Sequence, residues 1–449
     1  MVADAREAAG VSTTGALLDV EDLHVSFDTA DGKLHAVRGS SFSVGKGQTL
    51  GIVGESGSGK SVSAQALLGL VPGAEVSGHA WFEGHDLLAM TSEQLRAVRG
   101  RRISMVFQDP LTSLHPLYRV GWQIAEAMRA HGSVSREAAG RRAVELLGMV
   151  GIPRPKERVN DYPHQFSGGM RQRVMIAMAL ALSPALIIAD EPTTALDATV
   201  QAQVLELLVK LQGELGTSLI LITHDLGVVA DLADEVLVMY SGQPVEVADR
   251  RTAYYEPHHP YTRGLLESIP VAGDTGRLRP IPGQPPSMLV TRPGCSFRPR
   301  CRFALDRCET EAPPLRSIGS RPGHLSACWL PDEVAGDVDR RVLPPAGVPA
   351  THEDLFRGAS FDCLASIHDD CPVGDFRDDS HIMGDEEHGH AFFLLQTLDE
   401  IEDLALDRHV ERSGRLVGDQ QLWVAGQSHG DHHALAHAAG ELMRILGEA

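Results

Sequence analysis

The sequence predicts an α/β protein with a parallel-sheet core built around a phosphate-binding loop. Three observations carry that expectation. Residues 54–61 read GESGSGKS, a G-x-x-x-x-G-K-S loop set between the apolar run Leu50-Gly51-Ile52-Val53 and a helix start at 62–68. Residues 185–191, ALIIADE, read as a buried strand that ends in two carboxylates. Residues 218–223, SLILIT, read as a further strand, followed at once by His224-Asp225. Strands of this kind, separated by helical stretches, form open parallel sheets that bind ligands at their carboxyl edge.

The remaining elements follow in chain order. Short apolar runs at 17–20, 23–27, 36–38 and 41–44, broken by Asp31-Gly32 and Gly45-Lys46-Gly47, predict antiparallel strands leading into the loop strand. Residues 76–88 predict another strand pair, and 91–100 a helix. Ile103 to Gln108 predicts a strand ending in an amide. Residues 109–160, interrupted by Pro110, Pro116, Pro153 and Pro155, predict a small helical insertion. A Ser-Gly-Gly at 167–169 starts a long apolar helix to Leu182. A helix over 198–213 and strands at 235–240 and 243–247 close the unit.

Bulk properties bound the function. At 449 residues the chain is long enough for two or three domains. With a net charge of −20 the whole chain does not look like a nucleic-acid binder. That charge is uneven: from Val342 onward, 21 acidic residues face 6 arginines and no lysine, which leaves the body near −5. No run of about 20 apolar residues is present, so no membrane-spanning helix is expected. The start, MVADAREAAGVSTTG, has neither a basic nor an apolar region and reads as no secretory signal, which points to the cytoplasm.

The loop chemistry is specific. Gly54, Gly57 and Gly59 let the backbone curl so that N–H groups, with the Ser56 and Ser58 positions among them, face one centre at a helix N-terminus. Lys60 is placed to reach the terminal phosphates and Ser61 to put its hydroxyl on magnesium. Asp190 at a strand tip can hold the magnesium shell, and Glu191 beside it can polarise a water. Gln108 is a candidate for magnesium or the attacking water, and His224 for the γ-phosphate. Phe27 is a candidate stacking platform for adenine, or a strand core residue. Ser167, Gly168 and Gly169 offer a second anion-binding geometry, or an ordinary helix cap.

Taken in order, GESGSGKS, the Gln108 strand end, FSGGMRQR, LIIADEP, TALD and ITHD resemble the nucleotide-binding subunit of an ATP-binding cassette (ABC) transporter over residues 15–255. The usual signature Leu-Ser-Gly-Gly-Gln stands here with Phe166 and Met170 at its ends. With the following RQR, that variant is similar to the oligopeptide and dipeptide importer branch. The resemblance implies a RecA-like core, an antiparallel β subdomain and a helical subdomain at about 109–175. It implies two cassettes sandwiching ATP and magnesium head to tail. Lys60, Ser61, Gln108, Asp190, Glu191 and His224 would serve one face, Ser167–Gly169 the partner's ATP, and Asp197 the dimer seam. Implied partners are two membrane permease subunits, a second ATP-binding subunit or a second copy, and an extracytoplasmic peptide-binding protein. The implied location is peripheral, on the cytoplasmic membrane face, with no nucleic acid involved. An importer of the same branch for nickel or another small solute is the alternative. A soluble, non-transport ABC ATPase is the reading from a different class, but those usually carry two cassettes or coiled-coil inserts, and neither is seen.

Beyond the cassette, residues 256–332 form a Pro- and Cys-rich segment. Cys295, Cys301, Cys308 and Cys328 fall within 34 residues, which in a reducing compartment reads as a metal site of zinc or iron–sulfur type. Arg298, Arg300, Arg302 and Arg307 between them would favour thiolates. The segment is similar to the C-terminal extension of peptide-importer ATPases, in some of which such cysteines hold a four-iron, four-sulfur cluster. The resemblance implies that cluster, with a structural or regulatory role, and zinc as the alternative. Residues 333–449, acidic and holding 10 of the 21 histidines, read as a disordered or loosely helical tail with no function carried over.

Overall fold

The computed structural model describes residues 15–109, 113–132, 134–194, 196–269, 280–289, 293–319 and 323–332. The acidic tail, with Cys363, Cys371 and its histidines, lies outside them.

The four apolar runs near the start form two long strands, β1 (Ala16–Thr29) and β2 (Gly32–Gly45). They pair antiparallel, with register shifts between Val20 and Leu23 and again between Val25 and Ser26 that explain why the sequence looks broken there. Then come β3 (Thr49–Val53), α1 (Lys60–Leu67), β4 (Ala74–Phe82), β5 (His85–Asp86), α2 (Ser92–Val98) and β6 (Ile103–Val106). A capping box of Thr91 and Gln94 starts α2. The helical insertion holds α3 (Val120–Arg129), α4 (Arg136–Met149) and α5 (Pro155–Arg158). It is followed by α6 (Gly168–Ala179), β7 (Leu186–Asp190), α7 (Ala198–Leu215), β8 (Ser218–Thr223), α8 (Leu226–Leu232), β9 (Glu235–Tyr240) and β10 (Gln243–Asp249). The C-terminal segment adds α9 (Arg250–Tyr255), α10 (Pro260–Glu267), α11 (Arg307–Thr310) and the two-residue strands β11 (Arg316–Ser317) and β12 (Leu325–Ser326).

Two sheets result. β2-β1-β4-β5 is antiparallel, and the second runs β11-β12-β10-β9-β3-β8-β7-β6. Within the second, β9, β3, β8, β7 and β6 are parallel, so their carboxyl ends share one edge. β12 pairs antiparallel with β10, so the Cys-rich segment extends the core sheet.

The parallel strands are buried on both faces, as near-continuous apolar runs require. Alternate residues face opposite cores. Leu50, Ile52, Ile188, Ile220 and Ile222 join Val20, Phe42 and Leu67 under the antiparallel sheet and α1. Val53, Ala189, Leu219 and Leu221 join Ile124, Leu146, Val174, Val204 and Val229 of the helices on the other side. Gly51 is needed because any Cβ there would overlap the Val229 side chain. Among the described residues no helix is long and apolar enough to cross a membrane.

Candidate active site

Parallel register brings the predicted residues together. Val53 pairs with Thr223, Asp190 with Ile222, and Val106 with Ala189. The residues just past these ends are Gly54, His224, Glu191 and Gln108, so four distant sequence positions meet at one sheet edge.

The loop leaves β3 through Gly54, Gly57 and Gly59 at φ of 150, 76 and 97°. Such angles suit glycine. Space adds a second demand: a Cβ on Gly54 would overlap the Met239 carbonyl oxygen, and one on Gly59 would lie 2.5 Å from the Ala36 carbonyl oxygen. Gly59 caps α1 from the left-handed region, with no side-chain cap on the helix's first N–H groups. Those donors are what a phosphate needs. The buried Ser58 hydroxyl also has no hydrogen-bond partner.

Lys60 is buried and donates from Nζ to the carbonyls of Gly54 (2.7 Å) and Glu55 (3.0 Å). Burial lowers its pKa, against the opposing pull of Glu191, Asp190 and Glu55. Ser61 Oγ donates to Asp190 Oδ1 at 2.6 Å. Burial raises the Asp190 pKa, and Glu191 adds to this, while the Ser61 hydrogen bond and Lys60 oppose it. A cation shared by these oxygens would relieve that cost. The hard oxygen donors of Ser61 and Asp190 thus fit magnesium.

Glu191 sits at φ 46°, a left-handed conformation uncommon for a non-glycine residue. Its N–H donates to the Ile222 carbonyl at 2.8 Å, which fixes the turn. Its Oε2 accepts from Gln108 Nε2 (3.0 Å) and from Thr194 Oγ1 (2.9 Å), and Oε1 lies 3.5 Å from His224 Nδ1. Thr194 is a partner that the sequence reading did not single out. A threonine three residues after the carboxylate carries no distinct pattern.

Other predicted residues lie elsewhere in the fold. Ser167 caps α6, accepting from Met170 N, and Asp197 caps α7, accepting from Val200 N at 2.9 Å. Gly168 and Gly169 form the first turn of α6, and a Cβ on Gly169 would overlap Val200. Phe27 lies near the end of β1, half-buried against the core beneath the antiparallel sheet.

Residues 37–194 match the family model of the ABC transporter, and residues 245–308 match that of the oligopeptide/dipeptide transporter C-terminal region. The chain is 50% identical over 344 residues to the oligopeptide transport ATP-binding protein OppD of Bacillus subtilis, covering 76% of this chain and 94% of that relative. It is 49% identical over 323 residues to the dipeptide transport ATP-binding protein DppD of the same organism, covering 71% and 96%. Against OppD of Escherichia coli it is 49% identical over 320 residues, covering 71% and 94%. The chain belongs to the ABC transporter ATP-binding subunits of the oligopeptide/dipeptide family.

In this ABC subunit the cysteine segment departs from expectation. Cys295, Cys301, Cys308 and Cys328 do line one small cavity, together with His259, Phe297, Phe303, Leu305, Trp329 and Leu330. Yet among the described residues no group of three or more His, Cys, Asp or Glu side chains is placed to hold a metal ion. The expected iron–sulfur cluster, and its zinc alternative, are therefore withdrawn. The physical reason is the lining. Apolar burial raises the pKa of Cys295 and Cys301 and pushes that of Cys328 up to about 11, while metal ligands must be thiolates. The arginines are also engaged elsewhere. Arg298 pairs with Glu309, Arg302 with Glu267, and Arg307 with Glu311 while lying over the Trp329 ring. His324, four residues before the last cysteine, instead bonds Glu246 through Nε2 at 2.8 Å.

Arg300 is the residue that sequence reasoning placed wrongly. Its guanidinium grips Glu55 of the phosphate loop, with Nη1–Oε2 at 2.6 Å and Nη2–Oε1 at 2.8 Å. Tyr261, on α10, accepts from the Glu55 N–H at 2.8 Å.

Proposed function

We propose that this chain is the ATP-hydrolysing subunit that powers peptide import across the cytoplasmic membrane as part of an ABC transporter. One observation carries the ATPase chemistry: the buried Lys60, the Ser61–Asp190 pair and the Glu191–Gln108–His224 group meet at one sheet edge. Family membership supports peptide as the cargo class, since the relatives bear oligopeptide and dipeptide transport names.

In this reading the loop N–H groups and Lys60 bind the β- and γ-phosphates of the substrate ATP. Ser61 and Asp190 would hold magnesium, with Gln108 beside them. When bound, that ion neutralises charge on the β- and γ-phosphate oxygens. Glu191 is the base that orients and deprotonates the attacking water. Gln108 and Thr194 fix its Oε2, which leaves Oε1, on the His224 side, to meet the water. His224, with an exposed side chain, is placed to contact the γ-phosphate as the site closes. Phe27 stacks on adenine.

Closure needs a second cassette, a copy of this chain or a related subunit. Its Ser167, Gly168 and Gly169 equivalents cover the ATP, and Asp197 lines the seam. Two permease subunits and an extracytoplasmic peptide-binding protein complete the machine, with this chain peripheral on the cytoplasmic face. The Cys-rich region 256–332 acts as an addition to the cassette. Purification of the native protein from membranes tests the assembly. Two permease chains and a second ATPase are expected with it, and recovery as a free soluble protein alone would argue against it.

A further inference from the structure

The phosphate loop carries one residue whose charge opposes its task. Glu55 is its second position, and its carbonyl oxygen accepts from Lys60 Nζ at 3.0 Å, so it sits beside the cation that would meet phosphate. A bare carboxylate there would repel a triphosphate. The structure assigns a counter-charge. Arg300, only 6% exposed, pairs both nitrogens with both Glu55 oxygens in fork geometry. It is itself held by the Pro282 carbonyl at 2.9 Å and lies over the Tyr240 and Phe297 rings, 5.8 and 6.0 Å from their centres. Tyr261 takes the Glu55 N–H, so backbone and side chain of this loop position are both tied to the C-terminal segment.

We propose that Arg300 is a positioning residue for ATP binding: it neutralises Glu55 and holds that carboxylate on the C-terminal segment, so the phosphate loop can accept a triphosphate. The inference rests on the reading of this loop as an ATP site. It gives the C-terminal segment a part in nucleotide affinity, although Arg300 lies 245 residues from Glu55 in the chain.

The test is titration of the full chain with magnesium-ATP, alongside ATPase kinetics in the assembled transporter. Arg300→Gln is expected to weaken ATP binding about tenfold or more, ~1.4 kcal/mol per factor of ten. It should raise KM for ATP while kcat at saturation changes little. Arg300→Lys should recover part of the loss, as it keeps charge without the fork. Glu55→Gln removes the carboxylate that needs neutralising and is expected to bind ATP at least as tightly as wild type. The double variant should follow Glu55→Gln, since Arg300 matters only through that carboxylate. Unchanged affinity in Arg300→Gln would overturn the proposal. So would a Glu55→Gln variant as weak as Arg300→Gln, because the pair would then be scaffolding alone. Should Arg300→Gln not fold, the double variant carries the test: affinity at or above wild type supports the proposal, and a tenfold loss overturns it. Wild-type protein that binds no ATP would instead overturn the ATP reading itself.

Discussion

Arg300 and Glu55, 245 residues apart in the chain, meet as a bidentate ion pair at the mouth of the phosphate loop. The pair lies where the cassette and its C-terminal segment touch. Beside it Tyr240, Tyr261 and Phe297 form an aromatic cluster with ring centres 4.6 to 5.4 Å apart. The segment that follows the cassette is thus built against the phosphate loop through charge and packing.

The loop glycines should differ in their tolerance of a side chain. Gly57 and Gly59 both have positive φ, but a Cβ on Gly57 meets nothing within 4 Å while one on Gly59 lies 2.5 Å from the Ala36 carbonyl oxygen. Gly57→Ala should therefore cost about 1 kcal/mol from backbone strain alone, and Gly59→Ala about 2–3 kcal/mol. Urea unfolding without nucleotide measures both. Equal losses would show that the close approach to Ala36 does not exist.

Acid should loosen the junction between the core sheet and the C-terminal segment. The fully buried Glu246 accepts from the N–H groups of His258 and His259 at 2.6 and 3.0 Å and faces His324. Burial alone would raise its pKa, but the His324 bond and the His258 N–H outweigh that and leave it lowered. Burial also lowers His258, and lowers His259 from 6.5 to about 4 despite the pull of Glu246. A lowered histidine is charged in the unfolded chain first, so its stability contribution falls as pH drops from 6.5 towards 4. A lowered carboxyl contributes above its unfolded value near 4.5, and that contribution is lost as pH falls through its folded value. Both signs agree. Urea melts should show less stability at pH 5 than at pH 7, with His259 alone supplying up to about 2 kcal/mol. A flat profile would mean that these histidines are not buried neutral.

The cysteine cavity makes its own prediction. With its pKa pushed up to about 11 by burial, Cys328 should hold roughly 100-fold less thiolate at neutral pH than an ordinary thiol. Iodoacetamide should label it far more slowly in the native chain than in urea, as read by mass spectrometry. Native labelling at the unfolded rate would contradict the apolar lining.

Much of this was legible in the sequence, for physical reasons that also mark where legibility stopped. The strand ending at Val53, the strand ending at Asp190 and the strand at 218–223 are buried on both faces and so stand out as apolar runs. Their shared carboxyl edge brings Lys60, Glu191 and His224 together, and the neighbouring strand Ile103–Val106 adds Gln108. The β1–β2 hairpin was blurred because register shifts interrupt its alternation. Strands β11 and β12, of two residues each, are too short for any periodicity to register. The cysteines misled because spacing shows how many thiols are near each other but not what surrounds them. Phe297, Phe303, Leu305 and Trp329 supply that surrounding from separate positions in the chain. Arg300 looked like one of four interchangeable cations, and only the folded chain separates it from Arg298, Arg302 and Arg307.

ATP hydrolysis with Glu191 as the proposed base would drive peptide movement. The direct test is ATP-dependent peptide uptake into proteoliposomes holding this chain with its permease, partner ATPase and binding protein. Glu191→Gln keeps the Gln108 and Thr194 side of the site but removes the base, and should bind ATP while slowing turnover about 10²–10⁴-fold. Wild-type complex is predicted to accumulate peptide with ATP, and the Glu191→Gln complex to accumulate none. Uptake by the Glu191→Gln complex at the wild-type rate would rule out Glu191 as the base.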